Sequence, residues 1–382
     1  MAHPPPSPLG GLLAFALLAP FLHAEEGWVD LFNGKDLTGW VNVNGAPETW
    51  TAHDGLIACT GKPIGALRTE KPYENFELEL EWRHLKPAGN AGVFIWASGL
   101  PATGQPFLRA IEVQVLDNGY NPPGKNEHYT THGDVFAIHG ASMKPIHRGT
   151  GMRCFPDGEF SKSSPEWNHY RIVCSDGKLR LSVNGHEVSG GDECVWRKGY
   201  IGLESEGSPT EWRNIRLKEL PSSQAKPEES APVEAGWRPL YNGVDWRGWD
   251  AKESDKDWKA EDWTIRSSGE PGKAVLLWTE GKFGDLDVRI DVNLSGPSAA
   301  DGAKILLDKA DGPSASLCGE PGKWVRRNVR IAGGRMTVSD EAGRVLQEVA
   351  LPADLPAQRA VALVNNSFGE VKFASLMVRG VR

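Results

Sequence analysis

The sequence predicts an all-β protein made of two β-sandwich (jelly-roll) modules in tandem, the second degenerate. Three observations carry this expectation. The first is two-residue alternation: in FELELEWR, Phe76, Leu78, Leu80 and Trp82 alternate with Glu77, Glu79, Glu81 and Arg83, the period of a strand with one buried face. The second is the lack of any long helical period, together with Asp176-Gly177 and Asn184-Gly185 between alternating runs, the chemistry of hairpin turns. The third is an internal repeat. Residues 28–40 read WVDLFNGKDLTGW and residues 237–249 read WRPLYNGVDWRGW; EWNHYRI (166–172) parallels KWVRRNVRI (323–331), GKLRLSVNGHEV parallels GGRMTVSDEAGRV, and the closing WRNIRLKEL parallels FASLMVRGV. Two copies of one module is the economical reading.

The length of 382 residues suits two such domains. A hydrophobic content of 40% with 24% charged residues describes a globular chain. The net charge of −8 comes with no basic stripe, which excludes nucleic acid as an expected partner. Fifteen Trp make sugar binding worth testing, because flat aromatic rings stack on sugars as well as in cores.

Taken in order, residues 1–24 read as a signal peptide: an apolar run from Leu9 to Leu22 ends before Glu25 and Glu26, though no Lys or Arg precedes it. The run is short for a membrane span, so no transmembrane segment is expected after cleavage. Residues 25–220 form the first module. Its FELELEWR carboxylates read as a solvated outer face. GNAGVFIWAS (89–98) is a neighbouring strand that offers Asn90 and Trp96 as site-lining side chains, Trp96 as a platform for a sugar.

AIEVQVLDNGY (110–120) is the unusual element. Ile111, Val113 and Val115 form one face, and Glu112 and Gln114 the other. Asp117 falls opposite them unless an extra residue bulges the strand, a common way to re-aim a side chain near a site. The resulting E-x-Q-x-x-D row is similar to the E-x-D-x-x-E row of laminarinase-type sandwich glycosidases, with Gln and Asp in place of the central Asp and last Glu. That change argues against plain retaining hydrolysis.

The stretch 121–165 is long for a loop, and such loops usually serve function or are disordered. It carries His128, His132, His139 and His147, with Asp134, Lys144 and Arg148. His128 and His132 lie four apart, but Thr130, Thr131 and Gly133 argue against the helix a zinc-protease pair requires. Glu204 and Glu206, in GLESEG, are further candidates at a strand end. Residues 221–235, rich in Pro, Ser, Glu and Ala, read as a linker, and residues 236–382 as the second copy, without counterparts of Glu112, Gln114, Asp117 or the long loop. The five cysteines (59, 154, 174, 194 and 318) fit no zinc spacing; in an exported protein at least one stays unpaired, and one disulfide among Cys154, Cys174 and Cys194 is expected.

DLFNGKDLTGW, GNAGVFIWAS, EVQVLDNG, GDVFAIHGASMKP, EWNHYRIVCSDGKLRLSVNG and GYIGLESEGSPTEWRNIRLKEL follow in one order. Together they resemble the 3-keto-disaccharide hydrolase family, also described as 3-keto-glucoside lyases and 3-keto-glucal hydratases. The resemblance covers about residues 27–220 closely and residues 236–382 weakly. It implies a concanavalin-like jelly roll, export into a bacterial periplasm or medium, and a glycan or 3-keto-glycoside as partner. A ketone at C3 acidifies the C2 proton, so a base, an acid for the leaving oxygen and donors for the enolate are needed. On this reading Glu112, Asp117, His132 and His139 are the catalytic candidates. Asn90, Trp96, Gln114, Asp134 and Lys144 are the substrate-binding ones. One divalent metal ion on Glu112, Gln114 and Asp117 would suit the enolate; no nucleotide or flavin is expected. Rival readings are a carbohydrate-binding module without catalysis and a structural or adhesion protein.

Overall fold

The computed structural model describes residues 1, 26–120, 132–251, 256–269, 273–295, 302–367 and 369–381. The expected signal peptide and His128 lie outside the described residues, Met1 apart. Within them the chain is β throughout, with a single 3-10 turn at Pro227–Glu229. Among the described residues no helix is long and apolar enough to cross a membrane.

Among the described residues, the first module is a pair of antiparallel sheets. One has nine strands, with Phe76–His84 between Asn168–Ser175 and Thr210–Glu219 at its centre. The other has eight, with Ala110–Leu116 flanked by Asn90–Ala97 and Val135–Ile138, and Tyr200–Ser205 on the far side of Asn90–Ala97. The inner faces close on Leu78, Leu80, Trp82, Val93, Ile111, Val113 and Val115. Alternation dictates this: odd positions of the Ala110–Leu116 strand point into the sandwich and even positions away from it. Trp50, Trp82, Trp96, Trp212 and Trp258 are fully buried core residues, so much of the Trp content is packing. The outer face of FELELEWR is half-buried under an ion-pair ladder: Glu77 accepts from Arg171, Glu79 from Arg216 and Glu81 from Arg213.

Among the described residues, the second module repeats the plan with smaller sheets, seven strands plus the short Arg238–Pro239 strand in one and five in the other. The NG-x-D turns of the two modules match in atomic detail. In the first, Asn33 Oδ1 accepts from the backbone of Lys35 and Asp36, Asp36 from Thr38, and Trp40 Nε1 donates to Leu31 O at 2.8 Å. In the second, Asn242 Oδ1 accepts from Val244 and Asp245, Asp245 from Arg247, and Trp249 Nε1 donates to Leu240 O at 3.0 Å.

The second module also retains a short strand, Ser314–Ser316, where the first has Ala110–Leu116. Register aligns them: Val113 opposite Val93 corresponds to Ala315 opposite Ile305, both core pairs. Glu112 then corresponds to Ser314 and Gln114 to Ser316. On the other flank, Leu203 opposite Val93 matches Leu363 opposite Ile305, so Glu204 becomes Val364. Leu306, Ala362 and Val364 form an apolar cluster on that face. Degeneracy is therefore concentrated where the first module is most polar.

Residues 221–235 connect the modules and are hydrogen-bonded to the first along the way. Glu74 accepts from the backbone of Ser223 and Ala225, Arg197 pairs with Glu229, and Arg68 Nη2 donates to Glu234 O. The disulfide expected among Cys154, Cys174 and Cys194 needs correction. All five cysteines are free thiols, and Cys59, Cys154, Cys174 and Cys194 are buried. Burial pushes the Cys174 and Cys194 thiols up, Cys194 to about 12, so they behave as small apolar core groups.

Candidate functional site

The outward face of the eight-stranded sheet carries the candidate site. Three neighbouring strands each contribute: Glu112 and Gln114 from Ala110–Leu116, Asn90 from Asn90–Ala97, and Glu204 from Tyr200–Ser205, with Glu206 just beyond it. Gly92 lies between them. A Cβ there would stand 2.8 Å from Glu112 Oε1 and 2.9 Å from Glu204 Oε2, so the missing side chain lets the two carboxyl groups close over the strand. Asn90 bridges the row. Its Nδ2 donates to Glu206 Oε2, and its Oδ1 accepts from Gln114 Nε2 at 2.8 Å. Gln114 also donates to Ala91 O at 3.1 Å, so its orientation is fixed.

Three carboxyl groups this close, and this dry, cannot all ionise. Burial first, then Glu206, pushes the Glu112 carboxyl up to about 8, with Arg153 opposing and Asp134 adding to the rise. Burial, then Glu112 and Glu206, holds Glu204 well above the carboxylate range. Burial raises Glu206 to about 7, while hydrogen bonds from Glu204 and Asn90 favour its charged form. The cluster therefore holds protons up toward neutral pH, Glu204 most firmly and Glu206 least. Glu204 Oε2 is buried with no hydrogen-bond partner among the described residues.

Arg153 and Asp134 flank the cluster. Asp134 is fully buried and accepts from Arg153 Nη1 at 2.7 Å, and the guanidinium lies 3.4 Å from the centre of the Phe136 ring. Phe136 pairs with Glu112 across the strands.

The structure thus brings Asn90, Glu112, Gln114 and Asp134 together, joins Glu204 and Glu206 to them, and adds Arg153. It does not bring in Asp117. The strand pairs one to one with its neighbour from Ile111 to Leu116, without a bulge. Asp117 instead caps loops: it accepts from Ala88 N and Gly119 N at 2.9 Å and from Ser164 N at 2.8 Å. Burial works against its charge, but those backbone donors and nearby His84 hold its carboxyl below the usual range.

His132 is fully buried, and its Nε2 accepts from the backbone of Phe160 and Ser161. Burial lowers its pKa to about 4, which makes it a neutral tether for that loop. His139 stacks on Phe107 at 5.9 Å, on the side of the sheet toward the second module. Trp96 is a core residue whose Nε1 donates to Glu74 O at 2.7 Å. Lys144 is exposed on the edge of the other sheet, 3.7 Å from Glu193. With Asp117 turned away, the expected Glu112–Gln114–Asp117 metal trio does not come together. Among the described residues no three His, Cys, Asp or Glu side chains are arranged to hold a metal ion.

The raised carboxyls make stability depend on pH. An acid whose folded pKa lies above its unfolded value contributes fully below the unfolded pKa and loses that contribution as pH rises through the folded pKa. For Glu112 that window runs from about 4.5 to about 8. The melting temperature should fall across it, and the slope should flatten in Glu112→Gln; a melting temperature that rises across the window in both proteins would contradict the burial of these acids.

The family to which the first module belongs is one of carbohydrate-active proteins. A 3-keto-disaccharide hydrolase of Bacteroides thetaiotaomicron is 26% identical over 233 residues, covering 51% of this chain and 79% of the relative. A crystal structure of a candidate glycosyl hydrolase from Parabacteroides distasonis superposes with a TM-score of 0.42 at 23% identity, over 51% of this chain and 95% of that one. A carbohydrate-binding module from Bacillus subtilis does so with a TM-score of 0.34 at 12% identity, over 49% and 98%. The family model for the 3-keto-alpha-glucoside-1,2-lyase-like domain matches residues 27–218, half of the chain, and the chain belongs to that family.

Proposed function

We propose that this protein is exported and that its first module cleaves 3-keto-glycosides by elimination followed by hydration, for net hydrolysis. The observation that carries the reading is the meeting of Glu112, Glu204 and Glu206 in one cluster over Gly92, with Asn90 bonded to Glu206. Adjacent carboxyls whose environments push their pKa values apart supply an acid and a base at the same pH.

Ionised Glu206, the least buried of the three, removes the C2 proton that the C3 ketone has made acidic. The electron pair moves onto the C3 oxygen, where protonated Glu204 and the amide of Asn90 are the nearby donors. The enolate then re-forms the ketone as the C1–O bond breaks, and Glu112 protonates the leaving oxygen. Water adds across the resulting double bond, its hydroxyl to C1 and a proton to C2, which returns both carboxyl groups to their starting states. Gln114, held by its bonds to Asn90 and Ala91, orients the sugar. Turnover should rise as pH passes about 7, where Glu206 ionises, and fall above about 8, where Glu112 loses its proton. The test is aglycone release from a 3-keto-glucoside against the parent glucoside. Release from the first only supports the reading; equal release from both, or from neither, rejects it.

A further inference from the structure

The two modules meet over the same sheet that carries the carboxyl cluster. Phe94, Leu108, Ala110 and Tyr200 of the first module form one apolar cluster with Met377 of the second, and Trp237 packs against it. Beside this contact opens a cleft of about 730 Å³. Its walls come from the 98–105 loop, Arg109, His139 and Trp196 on one side and from Arg289, Arg326 and Asn328 on the other, with Glu234 from the connecting segment. None of the carboxyl-cluster residues lines it. Arg109 stands three residues before Glu112, roughly 10 Å along an extended chain.

The charges of the cleft are satisfied, with one exception. Arg289 donates to Glu234 Oε1 at 2.8 Å. Arg326 makes two bonds to Asp291, at 2.7 and 2.8 Å. Glu341 accepts from Thr103 Oγ1 at 2.9 Å and lies 3.7 Å from Arg326. Arg109 has no carboxylate partner and no side-chain hydrogen bond among the described residues. Its guanidinium stacks 3.7 Å from the centre of the Trp196 ring, and its Nε is buried without an acceptor. Burial alone lowers its pKa, with no opposing charge to offset the loss of water. A partly dehydrated guanidinium without a counter-ion is costly, and a planar oxyanion that reached it could form a two-pronged bond. Gln105 adds an uncharged polar side chain of the kind that bonds sugar hydroxyls, while Ser98 and Asn328 are held by bonds to Leu100 O and Asp340 O.

We propose that this junction cleft is a second carbohydrate site, taking a saccharide that carries a uronate, whose carboxylate engages Arg109 and whose ring lies against the Trp196 side of the cleft. The site needs both modules, which gives the degenerate copy a role: it supplies one wall of a binding cleft in place of a second carboxyl cluster.

The full chain can be titrated with methyl glucuronoside and, separately, with neutral methyl glucoside, following Trp fluorescence and heat. The glucuronoside should bind at least about tenfold more tightly than the glucoside. Arg109→Lys should weaken it roughly tenfold, because a point charge replaces the fork. Arg109→Ala should abolish the preference. Glu112→Gln should bind it as the unaltered protein does, which separates this site from the catalytic reading. No binding of the glucuronoside, equal binding of both sugars, equal affinity in Arg109→Lys, or loss in Glu112→Gln would each overturn the proposal. The comparison of the two sugars on the unaltered chain holds even if Arg109→Ala folds poorly.

Discussion

Glu112→Gln is expected to lower kcat/KM on a 3-keto-glucoside by about 10²–10⁴-fold, the range for loss of a general acid, while the melting temperature at pH 8 holds or rises. The two effects have one cause. Glu112 is 6% exposed, and burial keeps its carboxyl protonated to about pH 8. That protonated state is what the leaving oxygen requires, and it is also what the fold must secure against the cost of a buried charge. Gln keeps the size and hydrogen-bonding capacity but has no proton to give and none to lose. Steady-state kinetics and thermal melts on one preparation read both. A variant with full activity would remove Glu112 from the chemistry. One that lost activity together with several degrees of melting temperature would show a structural role instead.

Asp291→Ala should be the most destabilising substitution at the module junction, at about 3–5 kcal/mol. Asp291 is fully buried and faces Arg326 across paired strands, Leu286–Ser295 and Val325–Ala332. The pair also grips the first module: Arg326 Nη2 donates to Pro101 O at 2.8 Å, and Gly104 N donates to Asp291 Oδ2 at 2.9 Å. Removing the carboxylate takes both close bonds from Arg326, which is only 8% exposed, and leaves it the more distant Glu341 at 3.7 Å. Adding Arg326→Met to Asp291→Ala should recover part of the loss, because no charge is then left unpaired. Urea unfolding of the single and double variants measures both. A single variant within 1 kcal/mol of the unaltered protein would show that the junction does not depend on the pair.

Alternation and turn chemistry made the fold legible. FELELEWR and the two NG-x-D turns carry their structure locally, and the structure repeats what their sequence predicts. The Glu112–Gln114 pair was legible for the same reason, since residues two apart share a face. Asp117 was misread because a bulge was invoked to bring it round. The strand runs straight, and an Asp just past its end does what such residues commonly do, accepting backbone bonds in a turn. Glu204 and Glu206 lie roughly ninety residues away in sequence from Glu112, and only strand order makes them neighbours. The GLESE alternation marks them as one face, but that face could be assigned to the cluster only with Asn90–Ala97 known to lie between. His132 looked chemical because histidines often are, and its burial among backbone donors is a tertiary fact. The misreading of Trp96 has a similar origin, since a core ring and a sugar platform look alike in sequence. Arg109, Arg153 and Asp291 gave no sequence signal at all, because each takes its meaning from a partner on another strand or from the lack of one.

The proposed reaction is elimination and hydration at the Glu112–Glu204–Glu206 cluster. Its most direct test is turnover of a 3-keto-glucoside in D₂O, with the released 3-keto sugar examined at C2 by mass spectrometry and NMR over times at which the enzyme-free control shows no exchange. Aglycone release with deuterium at C2 is expected, because that carbon loses its proton to the protein and regains one during hydration. Release with the original C2 hydrogen retained would mean direct displacement at C1 and would contradict the proposed reaction.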